Sequence, residues 1–345
     1  MSAVKNNHLT SLLNIWFPQK DELDWVLATI IETDGSSYRK PGAIMFINSL
    51  GQYYGLLSGG CLEADIMRQA RKCWDSGKSH IIQYDMRDED DIAWKLGIGC
   101  GGMVRILLQP VTAQNHYLEL TALKTQLDTN QRCIYMLLAE QAEAKNQCIA
   151  QVPEDKSWTL NRLNQINNEN WFVSEQLPVV RLAIFGGGID AIPLANIAKQ
   201  LGWHITLFDE RLGYAKEAFF ASVDDIVRDK LDDLHNHPAL AQVSAVVLMN
   251  HNVTMDAKSL LLSQCSGAKY VGMLGPRHRT ERVFKDVNIV ESQLTKPLHN
   301  PIGFDLGGEL PESIALSMLS EIHAVLYGAS GRTLTRTRPA AKLAG

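Results

Sequence analysis

The sequence has no Cys-x-x-Cys pair, no apolar run long enough to cross a membrane, no internal repeat and no excess of positive charge. With six cysteines scattered over 345 residues, the first absence argues against both a structural zinc ribbon and a disulfide scaffold. The second leaves 46% hydrophobic and 21% charged residues, the balance of an ordinary globular chain with room for two domains. The opening stretch Met1 to His8 lacks the apolar core of a secretory signal, so the expectation is a cytoplasmic protein with reduced thiols and no membrane partner. A net charge of −5 gives no general attraction to nucleic acid.

Against those absences stand two glycine-flanked cysteines, Ser58-Gly59-Gly60-Cys61-Leu62-Glu63 and Gly99-Cys100-Gly101-Gly102. Glycine removes the Cβ that keeps a ligand from the backbone, so chemistry can reach each thiol. The stretch after Cys61 has helix-forming composition, which puts that thiol at a helix N-terminus, a setting that suits a nucleophile or a soft-metal ligand. The competing reading makes both cysteines small buried hydrophobes in tight turns. Glu63 reads as first-turn charge complementing the helix dipole. Cys73, Cys133, Cys148 and Cys265 lack the glycine setting and read as ordinary thiols.

Apolar runs at 25–31 and 43–47 bracket a polar loop, Asp34 to Gly42, and predict strand, loop, strand. A strand at 103–108, a helix near 117–127 and a strand at 133–138 follow, then a polar stretch around 161–170 with no element assigned. At Pro178 the pattern changes. The run 179–185 is a buried-type strand followed at once by Gly186-Gly187-Gly188-Ile189-Asp190-Ala191, then a helix and a second strand ending at Asp209. This is the βαβ opening of a Rossmann domain, with the acid 23 residues after the first glycine. The fold class is therefore α/β: an N-terminal mixed α/β domain over 1–177 and a C-terminal Rossmann-like, doubly wound parallel-sheet domain over 178–345. Runs at 245–249 and 270–274 supply later strands, and a last amphipathic helix starts at Pro311.

The motifs resemble those of the xanthine dehydrogenase accessory protein family (XdhC/CoxI). They are Gly35-Ser36-Ser37-Tyr38-Arg39-Lys40-Pro41-Gly42-Ala43, Gly59-Gly60-Cys61-Leu62-Glu63-Ala64, Cys100-Gly101-Gly102, Gly186-Gly187-Gly188, Phe208-Asp209-Glu210-Arg211, Asn250-His251 with Asp256, Gly272 to Arg277, and Pro301 to Gly307 with Pro311 to Ala315. Tyr38, Asn250 and Pro276 depart from the family's usual proline, threonine and serine. The resemblance implies a factor that binds the molybdenum cofactor (molybdopterin), shields it and delivers it to a xanthine-dehydrogenase-type apoenzyme. A cysteine desulfurase, as source of sulfur for the cofactor, and a second copy of the chain are the further partners considered.

A pterin dithiolene with a terminal phosphate asks for cations, N–H-rich turns and thiolates near its metal–sulfur end. Cys61 and Cys100 are the candidates for that end, with no metal site built from protein ligands alone. Arg39, Gly59, Gly60, Gly101, Gly186, Gly188, Asp209, Arg277 and Asp305 are the candidate cofactor contacts. His251 and Asp256 form a candidate proton relay, with a capped helix as the competing account. Two rivals stand beside the carrier: an NAD(P)-dependent oxidoreductase using Asp209 for the ribose hydroxyls, and a sulfurtransferase with a persulfide on Cys61 or Cys100.

Overall fold

The computed structural model describes residues 7–85, 87, 101–151 and 158–334. By its internal contacts the chain divides into two compact units, Met1–Val179 and Val180–Gly345.

In the first unit helix α1 (Leu9–Trp16) precedes strands β1 (Trp25–Gly35), β2 (Ile44–Asn48) and β3 (Tyr53–Gly55). Helix α2 (Glu63–Ser76) and strands β4 (His80–Asp85) and β5 (Gly102–Val111) follow. The strands pair antiparallel in the order β3-β2-β1-β5-β4. Strand β1 is apolar throughout its first seven residues, Thr29 excepted, because both its faces are covered. Trp25, Leu27 and Ile31 pack with Leu12, Leu13 and Trp16 of α1, whereas Val26, Ala28 and Ile30 pack with Ile66, Ala70 and Cys73 of α2.

Helix α3 (Leu120–Asp128) starts later than its apolar pattern predicts. Residues His116 to Glu119 take φ between 52° and 58°, and this left-handed turn leaves the Leu118 carbonyl to accept a hydrogen bond from Tyr135 Oη at 2.7 Å. A second antiparallel sheet follows, of β6 (Cys133–Ala139), β7 (Asn146–Ile149), β8 (Arg162–Ile166) and β9 (Glu169–Gln176), ordered β7-β6-β9-β8. The polar stretch around 161–170 is thus a hairpin. Asn167 and Asn168 sit between the paired residues Ile166 and Glu169 with φ of 51° and 65°, the two-residue turn that asparagine tolerates best after glycine.

The second unit is a doubly wound parallel sheet of β10 (Arg181–Phe185), β11 (His204–Phe208), β12 (Asp225–Val227), β13 (Ala245–Leu248), β14 (Tyr270–Met273) and β15 (Leu298–His299). The order is β12-β11-β10-β13-β14-β15. One face packs on helices α4 (Ala191–Gln200) and, from the last helix among the described residues, Ala315, Met318, Leu319 and Ile322. The other packs on α6 (Val253–Cys265) and α7 (Arg277–Asp286), a short α5 (Pro238–Gln242) lying between β12 and β13 in the chain and α8 spanning Pro311–Leu326. Strand order reverses between β10 and β13, so the glycine loop leaves β10 at the topological switch point.

No helix among the described residues is long and apolar enough to cross a membrane. No group of three or more His, Cys, Asp or Glu among them is placed to hold a metal ion.

The loop that carries Asp305 is tied to α8 by Ser317, which bonds the Phe304 backbone, and by the Glu321 carboxylate. Glu321 accepts from Tyr270 Oη at 2.5 Å, from the Gly303 N–H at 2.7 Å and from His299 Nδ1 at 2.9 Å. Burial alone would raise the pKa of Glu321, but the hydrogen bonds from Tyr270, Gly303 and His299 outweigh it and hold the carboxyl below the ordinary value. The stabilisation is therefore complete above the unfolded glutamate value and is lost as pH falls through the folded one. Glu321→Ala is expected to lower the unfolding free energy of this unit by about 2–4 kcal/mol in urea melts. The deficit relative to the unaltered protein should shrink in acid.

Candidate functional site

In the first unit three motif loops meet. At the end of β1, Gly35 pairs with Gly102 of β5, and a Cβ on Gly102 would overlap the Ser36 carbonyl and lie 2.6 Å from that of Asp34. Only glycine permits this approach. The loop then returns toward β2, and the Tyr38 ring lies against Gly59, 3.4 Å from where a Cβ would stand. The segment 35–42 thus spans from the turn at Gly59-Gly60-Cys61 to Gly101-Gly102.

The Gly-Gly-Cys turn is pinned at both ends. Glu63 is buried, and its Oε1 accepts the N–H groups of Ser58 (2.9 Å) and Leu57 (3.3 Å). Its Oε2 accepts the Ser58 hydroxyl at 2.6 Å, and Ser58 Oγ accepts the Leu62 N–H at 2.8 Å. Glu63 does stand in the first turn of α2, as expected for a charge complementing the helix dipole, and its carboxylate also closes a ring of hydrogen bonds around the turn. Burial opposes its charge, yet the Ser58 and Leu57 donors prevail and lower its pKa. Helix α2 begins at Glu63 with Leu62 as its N-cap, so Cys61 stands just ahead of the helix, and it is exposed. It is therefore not a buried hydrophobe. Gly59 and Gly60 take φ of 76° and 107°, and nothing lies within 4 Å of a Cβ built on Gly60. Gly101 is equally open at φ 65°, whereas Cys100 lies outside the described residues.

Arg39 is half-buried and makes no ion pair with any described residue. With Tyr38, Lys40 and Gly42 it lines a cavity of about 360 Å³ whose far wall is Asn161, Glu175 and Gln176.

In the second unit the structure rearranges the expected pairs. His251, in the left-handed region at φ 56°, donates through Nε2 to Asp190 Oδ2 at 2.6 Å. Asp256 is fully buried and accepts from the Asn250 N–H and Nδ2, both at 3.0 Å, while pairing with Arg279. The proposed His251–Asp256 relay is thus not assembled, because strand β13 ends by turning Asn250 inward and His251 outward.

Asp209 departs from its expected role as well. Its side chain is wholly buried and both oxygens are engaged, Oδ1 by the N–H and Nε of Arg211 (3.0 and 2.9 Å), Oδ2 by Arg211 Nη2 and the Gly187 N–H (both 2.7 Å). Burial opposes its charge, but these donors keep its pKa below the ordinary carboxylate value. Gly186, expected to admit a phosphate, instead accommodates the Met249 carbonyl and Asn250 Cα where its Cβ would be, and Gly188 faces the Asp190 carboxylate. Arg277 and Asp305 are exposed, Arg277 at the first residue of α7.

Similarity to known families follows the same division. The XdhC and CoxI family model matches residues 19–85, and the XdhC Rossmann domain model matches residues 182–322. A Bacillus subtilis protein, named for a probable subunit of xanthine dehydrogenase, is 30% identical over 316 residues, covering 88% of this chain and 93% of its own. The chain belongs to the XdhC and CoxI family. Another similar protein is the Escherichia coli molybdenum cofactor insertion chaperone PaoD, 26% identical over 87% of this chain and 83% of its own. A crystal structure described as a xanthine dehydrogenase from Bacillus halodurans superposes with a TM-score of 0.77 at 27% identity, covering 93% of this chain and 96% of that one. Within this XdhC-type chain the first match takes in the pinned turn, and the second runs from β10 through Asp305 into α8.

Sequence reasoning missed the Ser58–Glu63 ring, the Asp190–His251 pair and the Arg211 bond to Asp209. Only the last had a local signal, a cation two residues beyond the acid. Glu63→Ala should destabilise the first unit by about 2–4 kcal/mol in denaturant melts. It should also change the rate at which a maleimide alkylates Cys61 by several-fold, while Cys265, also exposed, reacts at an unchanged rate.

Proposed function

We propose that this chain is a maturation factor that binds molybdenum cofactor through its first unit and delivers it to a xanthine-dehydrogenase-type apoenzyme. The names of the relatives support the maturation role. The observation that carries the site is the pinned turn, which displays one exposed thiol beside open glycine backbone and the Tyr38 ring, with Arg39 next along the loop and in no ion pair with a described residue.

The donor set fits the group. Cys61 offers a soft sulfur donor of the kind that suits a metal–sulfur centre. Gly59 and Gly60 leave the backbone accessible, and the Tyr38 ring offers a flat apolar face to a pterin. Arg39 and Lys40 are the cations for a terminal phosphate, Arg39 in particular because no carboxylate among the described residues neutralises it. The cofactor itself supplies the molybdenum and dithiolene chemistry that the client enzyme uses. The chain's part is to hold it out of water and to release it. The exposed Cys61 thiolate is also placed to attack the outer sulfur of a cysteine desulfurase's persulfide, forming its own S–S bond as the desulfurase's S–S bond breaks and the desulfurase thiolate leaves. Taken by itself, the second unit offers Arg277, exposed at the start of α7, as an anion contact. Cys100 lies outside the described residues.

Cys61→Ala is expected to remain folded, with an unaltered circular dichroism spectrum and melting temperature, and to lose at least tenfold in its ability to activate a molybdenum-free client. Cys265→Ala should match the unaltered protein. Co-purified pterin and molybdenum, measured by fluorescence after oxidation and by mass spectrometry, should fall in Cys61→Ala and in Arg39→Ala. If both variants retain cofactor and activate the client normally, the pinned turn is not the binding site.

A further inference from the structure

A Rossmann unit with a glycine loop at its switch point implies a dinucleotide, and the residues here do not fit one. Two places decide the fit: the acid at the end of the second strand, which takes the ribose hydroxyls, and the second glycine of the motif, over which the pyrophosphate passes.

At the first place no lone pair is open. Asp209 accepts four hydrogen bonds, three from Arg211 and one from the Gly187 N–H. Nor can Arg211 serve as the cation that receives a ribose 2′-phosphate, the alternative use of an arginine at this position. Its Nε and Nη2 bond Asp209, its Nη1 donates to the Asn250 carbonyl at 3.1 Å, and its guanidinium carbon lies 3.5 Å from the centre of the Tyr214 ring. At the second place a Cβ on Gly188 would stand 2.5 Å from Asp190 Oδ1. The space that glycine leaves for an anionic ligand holds the chain's own carboxylate, and His251 fixes it there at 2.6 Å. The two features meet on the same loops, Asp209 through the Gly187 N–H and Arg211 through the Asn250 carbonyl beside His251, and each fills its own half of the crevice.

We propose that Arg211 and Asp190 are specificity-determining residues that close this glycine loop to ribose–pyrophosphate dinucleotides, nicotinamide and flavin alike. Arg211 satisfies the acid that would read the ribose, and Asp190 stands as an internal anion where the pyrophosphate would lie. A dinucleotide would have to break a buried ion pair and displace a carboxylate from its histidine. The first two glycines have a packing role of their own, because the approach of Met249 to Gly186 and of Ala215 to Gly187 forbids a side chain. This inference concerns the second unit alone and stands whether or not the first unit binds the cofactor.

The test is calorimetric titration of the full chain with NADH, NADPH and ADP-ribose, alongside Arg211→Ser, Asp190→Ala and the double variant. The unaltered protein should give no binding heat up to millimolar ligand. Asp190→Ala should gain affinity for ADP-ribose, and the double variant should bind it at least tenfold more tightly than Asp190→Ala, about 1.4 kcal/mol. Should Arg211→Ser fail to fold, leaving Asp209 buried without its partner, Asp190→Ala remains informative because its side chain is partly exposed. Micromolar binding of NADH or NADPH by the unaltered protein overturns the proposal. Folded variants that stay silent overturn it equally, since something other than these two side chains would then exclude the ligand.

Discussion

Backbone against backbone, at the seam where β1 ends and β5 begins, is the contact on which the first unit's site depends. With Gly35 opposite Gly102, the Ser36 carbonyl occupies the place of an absent side chain. Any other residue at 102 would push the 35–42 loop off the sheet, and Tyr38 would leave Gly59. The position of Arg39 and the contact of Tyr38 on the cysteine turn follow from that one approach. The sheet beneath can hold the seam in register because helices or strands cover both its faces, so a slip of one residue would exchange two buried layers.

Much of the architecture was legible in the chain. Continuous apolar runs that end in glycine clusters are what a strand buried on both faces produces, and both units contain them. The βαβ opening was readable because its glycines, its helix and its acid keep fixed spacing. The hairpin around Asn167-Asn168 escaped notice because β8 is polar and half exposed, which hides its alternation, although the asparagine pair itself was the available signal. The left-handed turn at His116 to Glu119 follows a Thr112–Asn115 capping box that the sequence offers, but the bond from Tyr135 to the Leu118 carbonyl comes from a strand further along and has no local signal.

The candidate site was legible only in part, and the reason is distance along the chain. Residue types announce what chemistry is available, but partners are settled by tertiary packing. His251 bonds a residue 61 positions away and Asp256 one 23 positions away, so no pattern in sequence couples either pair. Asp209 shows the same limit differently. Its spacing from the glycines is that of a ribose-binding acid, but a neighbouring arginine two residues on decides whether the carboxylate faces a ligand or the protein. Motif spacing thus reports ancestry of the fold more directly than occupancy of the site.

The ring of hydrogen bonds around the cysteine turn has a consequence for the speed and cost of recognition. A free Gly-Gly-Cys segment samples many backbone states, because two glycines in succession restrict nothing, and a ligand binding to it would have to freeze them. Here Glu63 and Ser58 impose that order during folding, before any ligand arrives. The turn is preorganised. On the proposed reading, a ligand binding at Cys61 loses little conformational entropy and leaves without any refolding of the loop.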